Sequence, residues 1–160
     1  MPHTFPELIR RFYETHRQEL YTYALLLTRS PDAAEDAIHT AFCNLLRRGR
    51  APKELRPYIF RCIRNAAVDE LRRAQRPEPP VAIFAPVDPA HGLNGRAHLE
   101  EALGDLAEDE RESIVLKLYN GLTFKEIATT RKVSINTAAS WYRRGIEKLR
   151  LSMQEDKSHE

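Results

Sequence analysis

The sequence predicts an all-α protein made of two small helical domains joined by a proline-rich linker. Apolar residues recur at three- and four-residue steps through both halves, and no strand-like alternation of useful length interrupts them. Between the halves, RPEPPVAIFAPVDPAHGLNG (residues 76–95) holds five prolines and two glycines. Proline lacks a backbone donor and steers the preceding residue away from helix. The composition, 42% apolar, 30% charged and 8% aromatic, is that of a helix-rich globular chain. The expected division is a domain over 1–75, a linker over 76–95 and a domain over 96–160.

The first helix is predicted from Leu8, Phe12, His16, Leu20, Tyr23 and Leu27, read as one buried face. Ser30-Pro31-Asp32 then reads as a helix start. Serine caps, proline takes the first helical position where no donor is missed, and an acid sits where the helix dipole favours it. That second helix runs through Ala34, Ile38, Ala41, Phe42 and Leu45 to about Arg48. A third starts near Pro57, carries Ile59, Ile63, Ala66 or Ala67, and Leu71, and ends in the basic run at Arg76. Beyond the linker, Leu99, Leu103 and Leu106 mark one helix. Ile114, Val115 and Leu118 mark another, which stops at Asn120-Gly121. Thr123 with Glu126 forms a capping box that opens a short helix around Ile127 and Ala128. Lys132-Val133-Ser134 breaks it, and a last helix follows.

The net charge of +2 hides local contrast. From Arg47 to Arg76, ten Arg and Lys face three acids, an excess of +7. From Arg131 to Arg150, six face one, an excess of +5; between these blocks, Ala97 to Glu112 has seven acids against one arginine, −6. Two basic blocks separated by an acidic one point to polyanion contacts at two places. The longest apolar run, Tyr23 to Leu27, is far below the roughly 20 residues of a membrane span, so membrane insertion is excluded. The start, MPHTFPELIRRFYE, lacks a secretory layout, which predicts a cytoplasmic protein. Cys43 and Cys62 form no metal or redox spacing and are expected as thiols in the core.

The last helix, VSINTAASWYRRGIEKLR over 133–150, begins with small polar residues and turns basic. Two short helices joined by a tight turn, the second basic, are the helix-turn-helix plan for entering the DNA major groove. At about 100° per residue, Ala138, Tyr142, Gly145, Ile146 and Leu149 share a face expected to pack on the Ile127-Ala128 helix. Asn136, Ser140, Arg143, Arg144 and Glu147 lie opposite. Small side chains let the backbone approach base edges, and the arginines can reach phosphate or guanine.

The stretches ALGDLAEDERESIVLKLYNGLTFKEIA and SINTAASWYRRGIEKLR resemble the promoter-binding C-terminal domain of bacterial sigma factors of the extracytoplasmic function (ECF) group. PDAAEDAIHTAFCNLLR resembles the core-polymerase-binding helix of that family, and YIFRCIRNAAVDELRR its promoter-reading helix. The resemblance covers nearly the whole chain outside the linker. Four departures stand out: His39-Thr40 where relatives have Gln-Glu, Arg131-Lys132 for Leu-Gly, Tyr58 for Trp and Trp141 for Arg. The missing glycine removes an easy left-handed residue from the turn.

The resemblance implies a specificity subunit without a cofactor. It binds core RNA polymerase, recognises promoter DNA and helps open it, with an anti-sigma protein as an optional partner. Carried over by position, Ser134, Asn136, Thr137, Ser140, Trp141 and Arg144 face the minus-35 element, with Lys125 and Arg143 on phosphates. Tyr58, Arg61, Arg64, Asn65, Asp69, Arg72 and Arg73 read the minus-10 region, and Asp32, Glu35, Asp36 and His39 face polymerase. Capturing an unstacked base calls for a stacking platform, for which Tyr58 and Phe60 are candidates, although core packing is the commoner use of such aromatics. Glu35 and His39 four residues apart also suggest a metal, but no second ligand group accompanies them, and no nucleophile or phosphate-loop motif supports an enzyme. A stand-alone helix-turn-helix regulator is the competing reading. It leaves the basic helix of the first domain unused.

Overall fold

The computed structural model describes residues 3–74 and 93–158, and every regular element among them is helical. The chain divides into two compact units, one carrying the first three helices and the other the later helices apart from Thr129–Arg131.

In the first unit, α1 (Phe5–Thr28), α2 (Pro31–Arg48) and α3 (Leu55–Ala74) pack on one another. The backbone N–H of Thr4 donates to the Glu7 carboxylate at 2.9 Å, fixing the first turn of α1. Thr22 to Leu26 are all buried, so the C-terminal half of α1 is enclosed on every side. Leu8, expected in the core, is 38% exposed, and Ile9 takes its place. Each four-residue step overshoots a full turn by about 40°, so the row Leu8, Phe12, His16, Leu20 drifts about 120° around the helix. Ile9, eleven residues before Leu20, falls back within about 20° of it. The same drift puts Leu71 outside, at 43% exposure.

Ser30 caps α2 as expected: its Oγ accepts from the Ala33 N–H at 3.3 Å, and Gly49 ends the helix at φ 75°. Where α2 meets α3 the contact is built from Ala37, Ala66 and Ala67 with Leu27 beside them, small side chains that let the two axes come close. Cys43 and Cys62 are half-buried thiols, not core residues, and burial pushes the Cys62 thiol up.

The second unit contains α4 (Leu93–Gly104), α5 (Glu108–Ile114), a π turn (Val115–Tyr119), α6 (Phe124–Arg131) up to Ala128, and α7 (Ile135–Ser158). Residues 93–95, expected as linker, open α4, while 76–92 lie outside the described residues. Leu106 follows α4 instead of belonging to it, and is still buried with Ala102, Leu103, Ile114 and Leu149. Arg111 closes this corner: its Nε donates to Leu103 O at 2.8 Å, and its Nη2 to Gly104 O at 3.1 Å and Leu106 O at 3.0 Å. Leu103 O, which also accepts from Leu106 N at 3.2 Å, and Gly104 O belong to the last turn of α4, and Leu106 O to the connection after it.

The helix predicted from Ile114, Val115 and Leu118 changes pitch partway. Asn120 N bonds Val115 O at 3.0 Å, five residues back, and this wider turn rotates Leu118 out to 62% exposure. Gly121 leaves the turn at φ 69°, in the left-handed region. The α7 seam (Ala138, Tyr142, Gly145, Ile146, Leu149) faces inward as expected but packs chiefly on α5, with α4 beside it. With α6, the Phe124 and Tyr142 rings meet edge-on at 5.4 Å. At Gly145 a Cβ would fall 2.6 Å from Ile114 Cδ1 and 3.3 Å from Glu110 Cβ, so glycine permits this approach.

Candidate nucleic-acid interface

The helix-turn-helix is locally specified. Thr123 Oγ1 accepts from Glu126 N and Glu126 Oε1 accepts from Thr123 N, both at 3.1 Å, closing the predicted capping box. Lys132 ends α6 at φ 54°, the left-handed conformation that glycine adopts most easily. Ser134 opens α7: its Oγ accepts from Thr137 N at 3.1 Å and lies 2.8 Å from Thr137 Oγ1.

From that start the outward edge of α7 carries Asn136, Arg143, Arg144 and Glu147 exposed, and Thr137, Ser140 and Trp141 half-buried. Arg143 Nη2 donates to Ser140 Oγ at 3.4 Å, tying two expected contact residues together. Ser134 and Lys125 are exposed beside this edge. Lys148 belongs elsewhere, since its Nζ holds both oxygens of the buried Glu110 carboxylate at 3.0 and 2.8 Å.

On α3, Tyr58, Arg61, Arg64, Asn65, Asp69, Arg72 and Arg73 fall within an arc of about 180°, opposite Phe60, Ile63 and Ala67. Asn65, Asp69, Arg72 and Arg73 are exposed; Tyr58, Arg61 and Arg64 are half-buried. Phe60, one of the two candidate platforms, is fully buried with its ring 5.3 Å from that of Tyr23, and is a core residue. Tyr58 remains at the surface, gripped by Arg48.

Asp32, Glu35, Asp36 and His39 are exposed along α2. Glu35 and His39 also border an open groove of 830 Å³ between α1 and α2, with Tyr13, Phe42 and Leu46 in its wall and Arg10 and Arg17 across from them. His39 Nε2 lies 3.5 Å from Cys43 Sγ. The groove and the Arg48 contact were not foreseen from the sequence, because each joins residues of two helices.

Residues 12–77 match the Sigma-70 region 2 family and residues 96–149 the Sigma-70 region 4 family. The chain is 33% identical over 149 residues to the RNA polymerase sigma factor CarQ of Myxococcus xanthus, covering 86% of this chain and 84% of that one. This chain belongs to the ECF group of sigma factors. As a sigma factor it directs promoter recognition and transcription initiation by RNA polymerase. A second ECF relative, SigL of Mycobacterium tuberculosis, is 27% identical over 162 residues, covering 92% of this chain and 90% of its own. The same fold occurs in the sigma factor RpoE of Bartonella quintana, solved with the anti-sigma factor NepR, with a TM-score of 0.70 at 20% identity over 91% of this chain and 98% of that one. CnrH, solved with the cytosolic domain of CnrY, has a TM-score of 0.68 at 19% identity over 92% and 88%. Among the described residues no helix is long and apolar enough to cross a membrane.

Proposed function

We propose that this sigma factor divides promoter recognition between its two units. Residues 96–160 read the minus-35 element and residues 1–75 hold core polymerase and the minus-10 region, with the segment 76–95 as the tether between them. In this reading Ser134, Asn136, Thr137, Ser140, Trp141 and Arg144 face the minus-35 major groove, and Lys125 and Arg143 meet phosphates. Tyr58, Arg61, Arg64, Asn65, Asp69, Arg72 and Arg73 hold the minus-10 strand, and Asp32, Glu35, Asp36 and His39 contact polymerase. The observation that carries it is the segregation of side chains: basic and polar groups line one arc of α3 and one edge of α7, while α2 presents an acidic face. Cationic arcs suit phosphate-lined strands, and polar groups among them supply selectivity. The polymerase supplies the chemistry, so the chain has no catalytic activity of its own and works in the cytoplasm. The partners of RpoE and CnrH suggest an anti-sigma protein for this chain too, competing with polymerase for the α2 face.

Run-off transcription tests the reading. The purified chain with bacterial core polymerase is expected to start transcripts at one specific promoter, and Asp36→Arg is expected to abolish initiation by preventing assembly with core. Tight duplex binding by the chain alone, without initiation, would favour a stand-alone helix-turn-helix regulator.

A further inference from the structure

Arg48 is the last residue of α2, and it reaches across the connection to the first turn of α3. Its Nη1 donates to the Tyr58 hydroxyl at 3.0 Å, and its Cζ lies 5.0 Å from the Tyr58 ring centroid. One planar guanidinium therefore satisfies the phenol and covers the ring, fixing both its position and its tilt. One turn further along α3 lies the half-buried Cys62. Tyr58, half-buried on α3, is thus held by a side chain from the end of α2.

A ring that stacks on an unpaired base binds better when it does not have to be ordered at that moment. We infer that Arg48 is a positioning residue for minus-10 recognition, holding the Tyr58 ring ready for an unpaired promoter base and tying it to the helix that carries the acidic face. The inference rests on the reading of Tyr58 as a minus-10 contact. It adds a residue which that reading did not include.

The test uses holoenzyme reconstituted from core polymerase and the full chain. Arg48→Lys keeps the charge and loses the fork; Tyr58→Phe keeps the ring and loses the acceptor. Each is expected to lower permanganate reactivity of the minus-10 thymines about 5-fold, with closed-complex affinity and the unfolding midpoint unchanged. The double variant is expected to be no worse than either single one, as for two halves of one interaction. Wild-type opening by Arg48→Lys, with Tyr58→Ala impaired, would overturn the role of Arg48 and leave Tyr58 in place. Wild-type opening by Tyr58→Ala would overturn both. Multiplying effects in the double variant, or a closed-complex salt slope lower by about 1 in Arg48→Gln, would make Arg48 a separate phosphate ligand.

Discussion

At the scale of single residues, the proposed reading gives the outward edge of α7 and its surroundings two kinds of contact that mutation can distinguish. Asn136→Ala or Ser140→Ala should relax preference at one minus-35 position, losing about 1–3 kcal/mol of discrimination against the wrong base. Lys125→Ala should weaken all promoters alike and lower the salt slope of binding by about 1. Titration of holoenzyme on matched and single-substituted promoters across a salt series checks both. Trp141 stands half-buried beside this edge. Trp141→Arg, selected against a randomised minus-35 library, should return a changed consensus, and an unchanged one would remove Trp141 from the reading edge. These residues were legible in the sequence because a helix displays its faces at a fixed angular step. Arg48 was not, since its partner lies ten positions away across a connection.

At the scale of elements, the helix ends were the most legible features. Ser30, Thr123 with Glu126, and Gly121 all act within four residues of chain, where side-chain chemistry decides the backbone. The misreadings had longer causes. Leu8 and Leu71 belong to four-residue rows that drift off the core face, and Leu118 was displaced by a π turn that no periodic pattern announces. The α7 seam was expected on α6, the neighbour in sequence, but α6 is only 8 residues long and the larger apolar surface belongs to α4 and α5. Two substitutions test this packing. Lys132→Gly should stabilise the second unit by about 1 kcal/mol by removing the left-handed penalty on a residue with a Cβ. Gly145→Ala should destabilise it by about 1–2 kcal/mol, because the methyl group meets Ile114, itself buried. Urea unfolding read by circular dichroism measures both, and a neutral Gly145→Ala would mean that Ile114 can turn aside.

At the scale of the whole molecule, a net charge of +2 describes neither unit well. The basic blocks and the acidic block act at different places, so partner choice follows local charge. In the proposed reading two DNA contacts share one tether, and they reinforce each other only when the tether spans the distance between their targets. Shortening the segment between residues 78 and 92 should therefore shift the preferred spacing of the two promoter elements or abolish initiation. Run-off assays on a spacer-length series measure this, and unchanged promoter use would remove the tether from spacing control.

The grip of Arg111 on two carbonyls at the end of α4 and on Leu106 O just beyond it also sets an order of events. Because a side chain of α5 closes the end of α4, α4 loses those side-chain bonds whenever α5 unwinds, whereas α5 can persist after α4 frays. Amide protons near Leu103 should therefore exchange with solvent at least as fast as those of α5, and Arg111→Ala should speed the former first. Opening of the C-terminal unit is then expected to begin at its acidic entrance, before α7.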